Sequence, residues 1–444
     1  MEVKSMKSYI EITPAAALVD EVLSIKAGGL EPDEIVAIQA SFSDIQNNPW
    51  VSKAKFKAGK DGTINLSETA PLQGDYYWPD AMGLVWSLKP VPQSLYQIGY
   101  EAFDINPYII RFTMTRKNGE TVANEVVRNY MKEDVTYKAV RENGLFGTLF
   151  LPGGPGPHPA IILLNGSDGG LNEPLAAVYA SHGYATLALA FFNYETLPPI
   201  LASIPLEYFE KAIAFLQSHP KVNSDKIGVS GISYGGMLSL LLGATFPQIK
   251  AVVAYVPSSV LFGAIGADYS KPIPSFTYGG TPVPFIPYSR FTSILAKISG
   301  SRIGGAFVRS VTKLKPIALT PMYLNAMRYA DAELLEKGCI KVENTNGPIL
   351  MISGADDQMW PSKLFSEQAM ERLKRRNFKY NYEHIPYPNC GHVIWVPYGP
   401  LPPTHTVHPV DHNSYIFGGN PKDNAFAMVD AWSQVIGFLK KHLS

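Results

Sequence analysis

Residues 226–236, which read KIGVSGISYGG, constrain the fold of this chain more than any other stretch. The run Ile227 to Val229 indicates a buried strand, and the helix-forming run Met237 to Leu242 follows the turn at once. Between them lies the pattern G-x-S-x-G, centred on Ser233. In a nucleophile elbow, small residues on both sides of the serine let the backbone turn sharply and lift the hydroxyl clear of the sheet. We therefore predict that Ser233 is a nucleophile and that the backbone N–H of Tyr234 faces a developing oxyanion.

The motif alone does not decide the matter, because a chain with 37 glycines can contain G-x-S-x-G by chance. The alternative is a glycine-rich turn between a strand and a helix that happens to expose a serine. A serine hydroxyl is also a poor nucleophile without a histidine base and a carboxylate that orients the histidine. The rest of the chain must therefore supply these partners.

The carboxylate of an α/β-hydrolase lies between the serine and the histidine in chain order. Gly354-Ala355-Asp356-Asp357 directly follows the apolar run Ile349 to Ser353, which we predict to be a late strand. We favour Asp357 as the acid, because G-x-x-D-x-x-x-P is the usual shape of such a loop. Asp356 is the alternative acid, and otherwise a turn or capping residue.

The base is expected in the loop after the final strand, which we predict over Tyr380 to Ile385. Gly391-His392 lies in that loop, so we predict His392 as the base. His384 lies inside the strand and is interpreted as structural. Cys390 is a possible thiol nucleophile, although no elbow surrounds it.

A second oxyanion donor is expected after the first buried strand of the same domain, Ala160 to Leu164. The loop that follows reads NGSDGG over residues 165–170, and its glycines let the backbone present N–H groups. We choose the N–H of Ser167 as the donor, with that of Asp168 as the alternative.

A sparse histidine run raises the alternative of a metal site. His405, His408 and His412 lie beside Asp411 in a proline-broken loop. Because the loop has no helical or strand register, solvated histidines are the more typical interpretation. We predict no metal and no cofactor.

The chain changes character near residue 150. Before it, five short β-type runs predict an antiparallel sandwich: Leu23 to Lys26, Ile35 to Phe42, Leu84 to Leu88, Tyr108 to Thr115 and Val122 to Arg128. After it, strands alternate with helices, which predicts a parallel sheet covered on both faces. We place the domains at 1–133 and 134–444. Residues 258–319, rich in Pro, Gly, Ser, Tyr and Phe, break the alternation and predict a lid or a surface insertion.

Composition excludes several classes of protein. Lys+Arg 38 balances Asp+Glu 38, so no nucleic-acid partner is expected. The apolar run Ala15 to Val19 is too short for a signal peptide, and no stretch is long enough for stable membrane insertion. Two cysteines, Cys339 and Cys390, suggest neither a disulfide framework nor a metal site, and a cytoplasmic location is the expectation. The final residues do not form a peroxisomal signal, and the oligomeric state stays open.

Several segments carry a resemblance to a known family. They are GLEP at 29–32, MGLVWS at 82–87, GLFGTLFLP at 144–152, GYATLALA at 183–190, Asp356-Asp357 with Trp360, Gly391-His392, and GGNP at 418–421 leading to VDAW at 429–432. The chain resembles the acyl-CoA thioesterases and bile acid-CoA:amino acid N-acyltransferases. The resemblance implies an immunoglobulin-like β-sandwich followed by an α/β-hydrolase domain.

The elbow residue divides that family, since its thioesterases carry serine and its N-acyltransferases carry cysteine. By resemblance, Ser233 implies a serine hydrolase that cleaves acyl-CoA into free acid and CoA, with His392 and Asp357 completing the triad. The alternatives are a carboxylesterase or amide hydrolase, acyl transfer to an amino acid, and a binding protein on a hydrolase scaffold. The segment 258–319 looks longer than in the family, which leaves the acyl-chain length open.

Overall fold

The chain folds into two compact units, seen in a computed structural model. It describes residues 7–91, 104–265, 271–288, 310–311, 315–399, 404–408, 410 and 413–443. The first unit comprises Met1–Lys132 with Val396–Pro402, and the second comprises Glu133–Trp395 with Pro403–Ser444. Within the described ranges, no helix has both the length and the apolar character needed to cross a membrane.

The first unit consists mainly of β-strands in two sheets. Its elements are β1 (Tyr9–Thr13), β2 (Ala16–Leu18), β3 (Ser24–Gly28), β4 (Ile35–Ser43), β5 (Pro49–Lys57), β6 (Ile64–Asn65), β7 (Gln73–Gly74), α1 (Gly83–Trp86), β8 (Lys89–Pro90), β9 (Tyr108–Thr115) and β10 (Thr121–Asn129). One sheet has the order β1-β3-β6 and the other β2-β10-β9-β4-β5-β7, with β8 also paired to β5. Every pairing is antiparallel except that of β2 with β10.

The core of this unit follows from alternation along the strands. In β4 and β5 every second side chain is buried, which is the period-2 pattern of strands with one face in a core. The predicted antiparallel β-domain is confirmed. The predicted strand over Leu84 to Leu88 is wrong, because the chain forms helix α1 there and buries all four of its residues. A short, fully buried apolar run fits either element, so its periodicity does not discriminate between them.

The second unit alternates strands and helices. Its strands are β11 (Thr136–Val140), β12 (Phe146–Leu151), β13 (His158–Leu164), β14 (Ala185–Ala190), β15 (Ile204–Pro205), β16 (Val222–Ile232), β17 (Ile249–Tyr255), β18 (Phe276–Tyr278), β19 (Thr281–Pro282), β20 (Ile349–Gly354), β21 (Tyr382–Tyr387), β22 (His405–Val407) and β23 (Ser414–Ile416). Its helices are α2 (Glu173–Ser181), α3 (Glu207–Ser218), α4 (Tyr234–Thr245), α5 (Thr320–Tyr329), α6 (Ala332–Gly338), α7 (Ser362–Arg375) and α8 (Pro421–His442), with a 3₁₀ turn at Val342–Asn344.

The central sheet of the second unit has the strand order β11-β12-β14-β13-β16-β17-β20-β21. The pairings of β11 with β12 and of β12 with β14 are antiparallel, and all later ones are parallel. Strands β14 and β20 are buried along their whole length, as expected when helices cover both faces of a sheet. The predicted α/β-hydrolase fold class is confirmed.

The sheet register brings four chain segments to one edge. Leu164 of β13 lies opposite Gly231 of β16, and Gly354 of β20 lies opposite Tyr387 of β21. Parallel strands end at the same edge, so the loops after β13, β16, β20 and β21 meet there. These are the loops that carry the predicted site residues.

The segment 258–319 is described in part. Residues 271–288 contain β18 and β19, which join β15 in a small three-stranded sheet. The sequence also predicts a loose helix over Ile303 to Val311, and that stretch lies largely outside the described residues. Residues 152–157 read PGGPGP, a run of residues that interrupt helices and strands, and they form the loop between β12 and β13.

Candidate active site

Ser233 stands on a strained turn between β16 and α4. Its φ is 58° and its ψ is −121°, a conformation that costs free energy for any residue with a Cβ. A Cβ on Gly231 would lie 2.3 Å from the carbonyl oxygen of Gly235, and one on Gly235 would lie 2.4 Å from that of Asn165. Glycine is therefore required at both positions, which explains the local sequence of the elbow.

Three polar side chains form a hydrogen-bonded chain at this edge of the sheet. The Ser233 hydroxyl donates to Nε2 of His392 across 2.8 Å. Nδ1–H of His392 donates to Oδ2 of Asp357, also across 2.8 Å. His392 and Asp357 are buried, with 6% and 5% of their surface exposed. The proton positions follow from the partners, because a carboxylate only accepts.

The Asp357 carboxylate is held by further donors from its own loop. Oδ1 accepts the backbone N–H groups of Met359 at 2.9 Å and Trp360 at 3.2 Å. Oδ2 accepts the hydroxyl of Ser362 at 2.6 Å in addition to His392. Hydrogen bonds to a charged acceptor are stronger than neutral ones, so the carboxylate is fixed in one orientation.

Asp356 has a different set of partners. Its Oδ2 accepts the backbone N–H of Gly419 at 2.9 Å, and its Oδ1 accepts Nε2 of Gln358 at 2.7 Å. The structure thus brings Asp357 rather than Asp356 to His392, and Asp356 ties two loops together.

Aromatic rings hold the imidazole of His392 in place. The ring of Phe417 stacks on it at 6.2 Å between centroids, and the Phe417 carbonyl accepts the His392 backbone N–H at 2.9 Å. Trp360 meets the imidazole edge-on at 6.0 Å, and its own Nε1–H donates to the carbonyl of Val256 at 2.8 Å. Val256 has a φ of 41°, a strained conformation for a β-branched residue.

The two segments that carry the predicted oxyanion donors lie next to Ser233. Tyr234 is the first residue of α4, where N–H groups point out of the helix and the helix dipole favours negative charge. A methyl group on Gly166 would lie 3.5 Å from Cβ of Ser233, so the loop after β13 lies against the serine. Ser167 follows in that loop and is partly buried, and the Asp168 carbonyl accepts Nδ2 of Asn193 at 2.8 Å.

Two other candidate residues, His384 and Cys390, lie in surroundings that fit a structural role. His384 lies in β21 with Nε2 2.7 Å from Oγ of Ser353, and burial lowers its pKa to about 4. Cys390 is fully buried, and this burial raises the pKa of its thiol to about 12. A thiol that stays protonated at neutral pH is a poor nucleophile.

The histidine run divides into different environments. His408 is buried and its Nε2 lies 3.0 Å from Oγ of Ser167, so its interpretation as a solvated side chain is wrong. His405 is exposed, and His412 lies outside the described residues. In the part of the chain that is described, no group of three or more His, Cys, Asp or Glu side chains could hold a metal ion.

Four residues that shape the site have no role there that the sequence predicts: Trp360, Ser362, His408 and Phe417. The sequence does place Ser362 directly after Pro361, at the start of a helix and five residues after Asp357. This position is a signal from which its contact with Asp357 could have been predicted. Phe417 and His408 reach the site through long-range pairing, for which one sequence offers no signal.

Comparison with known proteins identifies the family. Residues 20–142 match the family described as "Acyl-CoA thioester hydrolase/BAAT N-terminal region", and residues 204–444 match "BAAT / Acyl-CoA thioester hydrolase C terminal". The chain belongs to the BAAT/acyl-CoA thioester hydrolase family. The family resemblance seen in the sequence is confirmed.

Relatives named as acyltransferases and a relative named as a thioesterase are similar to this chain over nearly its whole length. Acyl-coenzyme A amino acid N-acyltransferase 1 of Mus musculus is 33% identical over 97% of this chain and 97% of its own length. Bile acid-CoA:amino acid N-acyltransferase of Homo sapiens is 33% identical over the same shares. Peroxisomal succinyl-coenzyme A thioesterase of Mus musculus is 30% identical over 96% of this chain and 94% of its own.

Proposed function

We propose that this chain is a serine hydrolase that cleaves acyl-CoA thioesters into a free acid and CoA. The observation that carries the proposal is the hydrogen-bonded chain from Ser233 through His392 to Asp357 at the elbow. Family membership supplies the substrate class, because relatives are named both as thioesterases and as acyltransferases that use acyl-CoA. Such an enzyme would serve fatty-acid or lipid metabolism.

The first half-reaction forms an acyl-enzyme. Oγ of Ser233 attacks the thioester carbonyl carbon while Nε2 of His392 takes the hydroxyl proton. Asp357 stabilises the resulting imidazolium, and the N–H groups of Tyr234 and Ser167 bind the oxyanion. The C–S bond then breaks, and the CoA sulfur leaves with the proton held by His392.

The second half-reaction uses water in place of the serine. His392 takes a proton from the water, whose oxygen attacks the acyl carbon, and the same two N–H groups bind the second oxyanion. The C–O bond to Ser233 breaks, its oxygen recovers the proton from His392, and the free acid leaves. Each step uses only groups of this chain together with acyl-CoA and water.

A second candidate is acyl transfer from CoA to an amino acid, which the names of the 33% identical relatives favour. In that reaction an amine replaces water in the second half-reaction. Amines attack thioesters more readily than oxygen esters, so an acyl group on Ser233 suits hydrolysis better than an acyl group on cysteine. We therefore place hydrolysis first.

The test is release of CoA from a panel of acyl-CoAs of increasing chain length, followed with a thiol reagent, with and without glycine or taurine. Hydrolysis predicts free acid as the product in every mixture. N-acyl amino acid as the main product would favour transfer. Turnover of a p-nitrophenyl ester with none on any acyl-CoA would favour a carboxylesterase.

We also propose the cytoplasm as the compartment. Cys339 and Cys390 form no disulfide, as in proteins of reducing compartments. Fractionation of cells that produce the protein tests this, and recovery in an organelle fraction would contradict it.

A further inference from the structure

One hairpin contacts the candidate active site at two separate points. It consists of β22 and β23, in which His405 pairs with Ile416 and Val407 with Ser414. Strand β23 leads into Phe417, which stacks on His392 and accepts its backbone N–H. Strand β22 leads into His408, whose Nε2 lies 3.0 Å from Oγ of Ser167. His392 and the loop of residues 165–170 after β13, the oxyanion loop, are thus both linked to this hairpin.

The surroundings of His408 indicate where its proton lies. Its Nδ1 accepts the backbone N–H of Val410 at 3.3 Å, so in the neutral imidazole the proton is on Nε2. That proton faces Ser167, whose hydroxyl oxygen therefore accepts. The ring is buried, with 7% of the residue exposed, and lies 6.0 Å from the ring of Tyr415 in an edge-on contact. The backbone N–H of His408 donates to the carbonyl of Asn413 at 2.8 Å, which fixes the hairpin end.

The oxyanion loop is one that needs such support. It contains Gly166, and both Gly169 and Gly170 have positive φ, so its own backbone is permissive. An oxyanion donor stabilises the transition state only when it is held in place before the reaction. Nδ2 of Asn165 donates to the Gly169 carbonyl at 2.7 Å and anchors the far end of the loop. Ser167 itself is anchored from the hairpin.

We propose that His408 is a positioning residue that holds the oxyanion loop through Ser167. The inference rests on the proposed function, in which the Ser167 N–H is an oxyanion donor. Because the ground-state thioester carbonyl makes weaker use of that donor than the oxyanion does, loss of the contact lowers kcat and leaves KM nearly unchanged.

The experiment compares His408→Leu, His408→Gln, Ser167→Ala and the double variant His408→Leu with Ser167→Ala. Turnover is measured on p-nitrophenyl acetate and on the best acyl-CoA. His405→Leu is the matched control, because His405 lies in the same hairpin and is exposed. Thermal melting of each variant reports whether it folds.

We expect His408→Leu to lower kcat about 10- to 100-fold on both substrates, with KM within about twofold of wild type. This fall in kcat is smaller than the fall expected when an oxyanion donor is removed altogether. His408→Gln restores most of kcat, because its amide N–H can reach the Ser167 oxygen. Ser167→Ala loses about as much as His408→Leu, and the double variant loses no more than either single one. Should His408→Leu fail to fold, Ser167→Ala tests the same contact by itself.

Three results would overturn the proposal: unchanged kcat in His408→Leu or Ser167→Ala, a rise of KM alone, or multiplicative losses in the double variant. The p-nitrophenyl ester separates this inference from the substrate class. If wild type hydrolyses the ester but no acyl-CoA, the proposed substrate is wrong while the role of His408 is still measured. If wild type turns over neither the ester nor any acyl-CoA, both the proposed function and the role of His408 are contradicted.

Discussion

The hydroxyl of Ser362 donates to the same carboxylate oxygen of Asp357 that accepts Nδ1–H of His392. The two contacts measure 2.6 Å and 2.8 Å. Ser362 is the first residue of α7 and is fully buried, so the helix start is part of the support for the acid. The orientation of His392 therefore depends on a residue that does not itself contact the imidazole.

The Ser362→Ala variant tests this support. Removal of one hydrogen bond to a charged acceptor costs about 1.5 kcal/mol, so kcat is expected to fall roughly tenfold. Ser366→Ala is the matched control, since Ser366 is also fully buried in α7 but its hydroxyl has no hydrogen-bond partner among the described residues. Steady-state kinetics of both variants provide the check, and equal kcat values in the two would contradict the assignment.

The neighbouring carboxylates Asp356 and Asp357 are predicted to separate in their effects. Asp357→Asn leaves His392 without a pure acceptor and is expected to lower kcat about 10³- to 10⁴-fold. Asp356→Asn is expected to keep kcat within about threefold of wild type, because Asp356 contacts Gly419 and Gln358 instead. Kinetics with thermal melts measure both, and the reverse pattern would assign the acid to Asp356.

Acid is predicted to destabilise the folded chain through His384. Burial lowers its pKa from the ordinary 6.5 to about 4 in the folded state, whereas the unfolded chain keeps the ordinary value. Between these pH values the unfolded chain binds the extra proton, so the free energy of unfolding falls as the pH falls. His384→Gln is expected to flatten the pH dependence of the free energy of unfolding between pH 6.5 and 4. Above pH 7.5 it is expected to leave that pH dependence unchanged. Denaturant unfolding across this range is the measurement, and parallel curves for the two proteins would refute the prediction.

Activity is predicted to survive thiol alkylation. The Cys390 thiol is fully buried and its pKa is raised to about 12, so it carries almost no thiolate at pH 8. Treatment with iodoacetamide at pH 8 should leave turnover intact, with mass spectrometry to locate any adduct. Inactivation that accompanies modification of Cys390 would revive the thiol as a nucleophile.

Local sequence predicted most of the fold and the ends of the strands where the site lies. The loops that carry Ser233, Asp357 and His392 each follow an apolar run. Because the strands are parallel, these loops meet at one edge of the sheet. Strand β5 was not predicted, although Trp50, Ser52, Ala54 and Phe56 are buried in strict alternation, because Ser52 and Ala54 make the buried face only weakly apolar in the sequence. The last sheet strand lies at Tyr382–Tyr387, two residues later than predicted, since the sequence contains no sharp turn signal there.

The sequence could not predict the contacts that surround the triad. Ser167 and His408 are separated by 241 positions, and the hairpin that joins them is defined by its pairing in space. Proline and histidine content made this stretch look like a solvated loop, whereas tertiary packing buries His408. Similarly, nothing in the sequence around Phe417 indicates that its ring stacks on His392.

The measurement that tests the central claim most directly is acyl-CoA hydrolysis by wild type and Ser233→Ala at equal concentrations of folded protein. Without the nucleophile, kcat/KM is expected to fall by at least about 10³-fold, while circular dichroism and the melting temperature stay close to wild type. The acyl adduct on the peptide that contains Ser233, seen by mass spectrometry after rapid quenching, should be absent from the variant. Turnover of acyl-CoA by Ser233→Ala within about tenfold of wild type would contradict the claim.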